Sequence, residues 1–363
     1  MSLDQIRQLS ASQPSNERAR YYLGVRLRDA GQLAQARDAF QQAAQANPDD
    51  EQAWLSWASA AQSLGSDREA FAALSRFEAT HPNSANAHKA LSRFYASHWV
   101  FDTAYDEAAT AAKLAPRDVD AWVLLGGRAM DMSLEPKAEE AFRQAVKLNP
   151  NDWQNLLSLA FVLQTEKRYD DALVYYRQAN ELAPNEPGTM LALGGMLLKT
   201  AQTPEGQQEA LSLLKRAVSM NPSSPPGCRM LGQAYLQAGN YQEARQYLTR
   251  AEGLSPGDPT VHFDLQQVYS RLGDTASAAK EAKEHSEIVS FLLARERLHD
   301  QAHLTPNDLA VGLKYARLCA AHGDYLDAVL EYRQLMAIHP DAKEVRSEFA
   351  VVEKKLPQNA TVQ

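Results

Sequence analysis

Between Val119 and Pro150, apolar and small residues recur every three or four positions with polar residues between them. Counting Val119 as position 1, Trp122, Leu125, Gly126 and Ala129 stand at positions 4, 7, 8 and 11, and Ala138, Phe142 and Ala145 at 20, 24 and 27. The first four share one face of a helix and the next three share one face of a second. The spacing therefore predicts an antiparallel helical hairpin with Met132 to Pro136 as its turn. Gly126, Ala138 and Ala145 have almost no side chain, so the two backbones can approach closely while Trp122, Leu125 and Phe142 fill the space beside them.

The hairpin recurs along the chain. Pro14, Pro48, Pro82, Pro116, Pro150 and Pro184 are each 34 residues apart, Pro222 follows after 38 and Pro256 after 34. Proline cannot continue a helix and forbids helical geometry to its predecessor, so these residues mark the boundaries between units. A 34-residue period carrying Trp, Leu-Gly, Tyr, Ala, Phe, Ala and Pro at these positions resembles the tetratricopeptide repeat family. The resemblance implies an all-α fold: a right-handed α-solenoid of about nine helix-turn-helix repeats with N- and C-terminal capping helices. Each hairpin is then expected to touch only its neighbours, and no strand is expected.

Residues 1–16, with Leu3, Ile6 and Leu9 at helical spacing, are expected to form the N-terminal cap. Residues 17–308 hold repeats one to eight, residues 309–356 the last repeat and a charged amphipathic C-terminal cap, and residues 357–363 a disordered tail. Three places depart from the regular pattern. The turn of repeat three reads SHWVF without glycine, and Trp99 there is expected either to fold back onto its own hairpin, the more common outcome, or to stand exposed as a contact residue. Repeat six has four added residues in its turn, which loops tolerate. In repeat eight, Ser290 stands where the closing proline belongs, so the second helix is expected to run from about Asp274 to near His299. Its extension carries Ile288, Val289, Phe291, Leu292 and Leu293, apolar surface that requires cover by the last repeat or by a second molecule.

Composition narrows the function classes. The chain has 363 residues, 45% hydrophobic residues and a formal charge of -8, and its pI is near 5.6. It has no basic footprint for nucleic acid or an anionic membrane. No apolar run reaches the 18 residues of a membrane span, and the N-terminus lacks the apolar core of a signal peptide. These features predict a cytoplasmic chain as given, or a periplasmic or membrane-anchored one if an N-terminal segment has been trimmed. Cys228 and Cys319 occupy positions the repeat buries and are expected to be thiols, with no disulfide. His299 and His303 lie four residues apart, but no third ligand accompanies them, and Asp300 stands where a metalloprotease needs glutamate. Neither a phosphate loop nor a catalytic carboxylate pair stands out, so no enzyme, cofactor or metal is expected.

The family resemblance implies that positions 2, 5, 6, 9, 12 and 13 of each first helix line a concave groove. Here those positions include Arg18, Tyr21, Tyr22, Val25 and Arg28 in repeat one, and Lys89 and Arg93 in repeat three. Repeats four to seven supply Val123, Leu124, Met130, Leu157, Phe161, Leu191, Leu198, Arg229, Met230 and Leu236. The Lys and Asn set with which some relatives grip a C-terminal carboxylate is missing, since Leu124 follows Lys89 and Arg93. The middle of the groove is apolar, which predicts a non-enzymatic scaffold holding a peptide or protein segment. The alternative is the recognition arm of a larger enzyme or envelope assembly, such as a glycosyltransferase, a secretion assembly or a polysaccharide exporter. Self-association through Ile288, Phe291 and Leu292 is a further expectation.

Overall fold

The computed structural model describes residues 3–13, 16–201 and 203–356; Pro14 and the expected tail at 357–363 lie outside them. Helices are the regular elements found among the described residues, with no strand. None of these helices is long and apolar enough to cross a membrane.

The chain forms two compact units, Met1–Met196 and Leu197–Gln363. In the first, α1 (Leu3–Ser12) packs on α2 (Glu17–Asp29), which pairs with α3 (Leu33–Ala46). Four more hairpins follow: α4 (Glu51–Ser63) with α5 (Asp67–Thr80), α6 (Ala85–Ser97) with α7 (Phe101–Leu114), α8 (Val119–Asp131) with α9 (Glu135–Leu148), and α10 (Trp153–Thr165) with α11 (Tyr169–Leu182). Helix α12 (Pro187–Thr200) contains the unit boundary. The second unit holds α13 (Pro204–Met220), then α14 (Pro225–Gln237) with α15 (Tyr241–Leu254), α16 (Pro259–Leu272) with α17 (Thr275–Leu304), α18 (Leu309–Ala321) with α19 (Tyr325–Ile338), and α20 (Lys343–Glu353). Within each unit a hairpin packs on the next, the arrangement of an α-solenoid.

The seams follow the predicted positions. Ala36, Phe40 and Ala43 are fully buried in repeat one, as are Ala172 and Ala179 in repeat five. Ile6 of α1 is buried and Leu3 packs on the core of the first repeats, so this helix shields apolar surface at the start of the chain.

Each described first-helix end from repeats one to five, and again from seven to nine, closes with the same turn. Gly31, Gly65, Gly239, Gly273 and Gly323 have positive φ at position 15 of their repeats. Trp99, Ser133 and Lys167 take that left-handed geometry at the same position without being glycine. The N–H of the next residue then reaches back to the carbonyl five residues earlier, as from Gln32 to Leu27 at 2.8 Å and from Val100 to Tyr95 at 3.0 Å. Of the two expectations for Trp99, the exposed one holds. Its side chain is 81% exposed, touching Phe101 edge to face, because the turn fixes its backbone and points the indole outward.

Helix α17 also differs from expectation, running to Leu304 instead of stopping near His299. No breaker intervenes until Thr305, whose helical geometry is opposed by Pro306. Its extension docks on the last repeat: Phe291 stacks on His322 with centroids 4.1 Å apart, Arg295 donates to Asp324 at 2.7 Å, and Leu298 joins the C-terminal core. Ile288, Phe291 and Leu292 are half-buried, while Leu293 stays 62% exposed.

A second recurring contact joins consecutive repeats. Trp54 Nε1 donates to the Pro48 carbonyl at 3.0 Å and Trp122 Nε1 to that of Pro116 at 3.0 Å. At the same position, His88 Nε2 meets the Pro82 carbonyl at 2.9 Å and His262 Nε2 that of Pro256 at 3.0 Å. The other ring nitrogen meets a glutamate, His88 Nδ1 with Glu107 at 2.6 Å and His262 Nδ1 with Glu281 at 2.8 Å. A carbonyl and an ionised carboxylate both accept, so this arrangement favours the imidazolium, in which both ring nitrogens donate. Burial by itself opposes that charge. Hydrogen bonds and the fields of Glu107 and Glu78, or of Glu281 and Glu252, outweigh it, and the pKa of each histidine is raised.

A raised folded pKa means that this stabilisation is complete below the unfolded value of about 6.5 and is lost as the pH climbs through the folded value. The urea midpoint is therefore expected to fall as the pH rises above the unfolded value of about 6.5. The double variant His88→Gln, His262→Gln keeps a donor for each carbonyl without titrating, and its midpoint should depend less on pH. Equal slopes in parent and variant would show that other groups set the dependence.

Candidate peptide-binding surface

First helices of consecutive repeats touch directly, α4 with α6, α6 with α8, and α14 with α16. Residues on that side of the hairpins can therefore form a continuous row within a unit. Side-chain caps hold these helices: Asn16, Asp50, Ser84, Asp118 and Asp152 each accept from a backbone N–H in the first turn, as do Ser224, Asp258 and Asp308 in the second unit.

In the first unit, Tyr21 is half-buried against Phe40 and Tyr22, with centroids 5.6 and 5.8 Å away, while Tyr22 is 58% exposed. Arg18, Arg28 and Arg93 are exposed, and Val25 packs on the core. Val123, Leu124, Met130, Leu157 and Leu191 are half-buried. Phe161 is 52% exposed on a helix whose neighbouring Leu159, Ala160, Val162 and Leu163 are fully buried. In the second unit, Met230 and Leu236 are half-buried.

Three residues expected to face a ligand are engaged by the protein itself. Lys89 is buried, and its Nζ donates at 2.6 Å to Asp118, the N-cap of α8. Burying an ammonium requires such a partner, so Lys89 ties α6 to α8 instead of offering an open cation. Burial would raise the Asp118 pKa, but the hydrogen bond and charge of Lys89 hold it below the ordinary range. Leu198 is buried and belongs to the interior. Arg229 is half-buried, its Nη1 3.7 Å from Asp264 Oδ2.

Two clusters of metal-type ligand atoms occur among the described residues: Glu252, His262 and Glu281, and Cys319, Asp324 and Asp327. In the first, both nitrogens of His262 are occupied as described above. In the second, Arg295 lies 2.7 Å from Asp324 and 4.0 Å from Asp327, and burial pushes the Cys319 thiol up to about 11. Hydrogen bonding and ion pairing account for both arrangements. His299 is exposed beside Tyr315 and belongs to neither cluster. Cys228 and Cys319 are buried thiols.

Sequence reasoning missed Asp264. It occupies position 6 of the first helix in repeat eight, a groove position, and is buried. That position was the available signal, but the other acidic residues of the chain suit solvated faces and helix starts, and masked it.

Family models described as tetratricopeptide repeat match this chain at residues 2–51, 23–85 and 135–187, and at residues 207–252 and 235–288. The chain belongs to the tetratricopeptide repeat family. It is similar to protein O-mannosyl-transferase TMTC1 of Homo sapiens, 24% identical over 238 residues that make up 64% of this chain and 25% of that protein. It is also similar to BBSome complex member BBS4 of Bos taurus, 24% identical over 253 residues, 65% of this chain and 48% of that protein. The chain thus spans a quarter to about half of the length of these relatives. Among solved structures it is similar to yeast Tom70, with 17% identity, a TM-score of 0.49, and coverage of 76% of this chain and 58% of that one. The repeat fold is consistent with a protein-interaction scaffold.

Proposed function

We propose that this chain is a non-enzymatic scaffold that holds a peptide or protein segment on the inner faces of its first helices. The observation that carries this reading is Phe161, 52% exposed in mid-helix beside residues that are fully buried. The α10 seam is already filled by Leu156, Leu159 and Leu163, so the ring is surplus to the hairpin. Leu157 on the same helix, and Leu191 at the matching position of α12, are further half-buried apolar residues at groove positions. Surplus apolar surface on an inner helix face serves a partner. In the second unit, Met230 is a separate candidate contact. A second reading, the recognition arm of a larger enzyme or assembly, is supported by the match to a quarter of a protein O-mannosyl-transferase.

The test is capture of the partner identified by pull-down with mass spectrometry. Changing Phe161 and Leu191 to serine is expected to weaken capture, each anchor contributing about 1–3 kcal/mol of binding. The unfolding midpoint should move by no more than a few degrees. A double variant that unfolds early, or binds as the parent does, would show that these residues serve the fold.

A further inference from the structure

Pro306 follows Pro256 after 50 residues and precedes Pro340 by 34, so the first interval exceeds one period by 16 residues, enough for one helix but not for a hairpin. Helix α17 absorbs them without a turn, running unbroken from Thr275 to Leu304. Its first half is the second helix of repeat eight. Counted back from Pro306 as position 32, its second half places Ala294, Leu298 and Gln301 at positions 20, 24 and 27, the seam positions of another second helix. Among the described residues no first helix separates the two halves.

The burial of these positions reflects the missing helix. Ala138 and Ala145 in repeat four, and Ala172 and Ala179 in repeat five, are fully buried at positions 20 and 27. In α17, Ala294 is half-buried and Gln301 is exposed. At position 24, Phe142 and Leu248 press so closely on Gly126 and Gly232 of their own first helices that an added Cβ would lie 2.7 and 2.6 Å away. Leu298 joins the C-terminal core yet stays half-buried. Helix α16 serves another side of α17. His285, at position 27 of repeat eight, meets its Pro259 carbonyl at 2.8 Å, and Gln301, sixteen residues further on, is turned about 160° away.

We infer that this open face of α17 binds an amphipathic helix of a partner protein, which takes the place of the missing first helix. The repeat specifies the occupant: a leucine beside a glycine or alanine, crossing Leu298 and Ala294 as Leu125 and Gly126 cross the position of Phe142. The face is continuous with an established seam, because Leu298 already packs on the last repeat. Leu293 and Leu304, 62% and 80% exposed, follow at helical spacing with exposed Arg297 between them, so the incoming helix gains from apolar residues and a carboxylate on its edge. Charge disfavours a second copy. Laid antiparallel across Ser290 it would set Lys283 against Arg297, and laid parallel in register it would set Arg297 against itself. The surface belongs to a second helix in the second unit, so the inference does not rest on the first-helix site proposed above.

The test titrates the full chain into a fluorescein-labelled peptide of residues Val119–Asp131, the first helix of repeat four, and follows anisotropy. Saturable binding is expected, with slower hydrogen exchange in residues 290–304. The peptide carrying Gly126→Leu should bind at least tenfold more weakly, because the added side chain prevents close approach to Leu298. In the chain, Ala294→Arg combined with Gln301→Arg should weaken binding at least tenfold with the unfolding midpoint unchanged. If that double variant unfolds early, Gln301→Arg alone, at an exposed position, is expected to weaken binding without moving the midpoint. Phe161→Ser combined with Leu191→Ser should leave binding of this peptide as in the parent. No saturable binding, binding indifferent to Gln301→Arg, or a dimer of the chain that Gln301→Arg dissolves would overturn the inference. Loss of peptide binding in the Phe161 and Leu191 variant would also overturn it, by placing the peptide on the first helices. If the peptide fails while that variant still loses its pulled-down partner, this inference falls and the scaffold reading stands.

Discussion

Replacing Phe142 with alanine is expected to lower the unfolding free energy by about 3–5 kcal/mol, measured by urea denaturation. The ring is 5% exposed and fills the seam between α8 and α9. Gly126 faces it so closely that an added Cβ would lie 2.7 Å from the ring, within overlap distance. Gly126→Leu should therefore destabilise by overpacking, by about 1–3 kcal/mol or more. The two losses have opposite causes, one a void and one an excess of volume, so Gly126→Leu combined with Phe142→Ala should be less damaging than the sum of the singles. Strict additivity would mean that the residues do not share one space. Because each hairpin is supported by its neighbours, α10 and α11 should also lose hydrogen-exchange protection in the single variants.

Changing both Phe291 and Leu292 to serine is expected to lower the unfolding midpoint, at a cost of about 2–3 kcal/mol for two half-buried apolar side chains. The stacking of Phe291 on His322 and the ion pair from Arg295 to Asp324 place this part of α17 against the last repeat. Hydrogen exchange in α18 and α19 should rise in the variant, since their core includes Leu298 of the same helix. An unchanged midpoint would overturn the packing role and make the surface free to meet another molecule, as the sequence alone allowed.

The repeat itself was legible in the sequence because its causes are local. Proline cannot continue a helix, small residues at positions 8, 20 and 27 permit close approach, and apolar residues at helical spacing define a seam. These constraints gave the helical hairpins, the unusual length of α17 and the burial of both cysteines. The candidate surface was legible only in part. Position along a first helix says that Lys89 and Phe161 are not seam residues, but not which of them finds an internal partner. Lys89 finds Asp118, 29 residues away, whereas Phe161 is left exposed.

Other features depend on contacts between repeats, which no single repeat displays. His88 and His262 are donors to carbonyls of the preceding repeat because packing brings those groups within 3.0 Å. Trp99 is exposed because the turn requires a left-handed residue wherever the hairpin closes, whichever side chain stands there. Asp264 is an acidic residue like many others in the chain until α14 covers it, leaving one oxygen without a hydrogen-bond partner. The amino-acid sequence by itself determined the helical repeat, through steric and periodic rules that act within about 34 residues. Tertiary structure decided which polar groups are paired and which apolar groups stay outside, because pairing and desolvation depend on residues that meet across repeats.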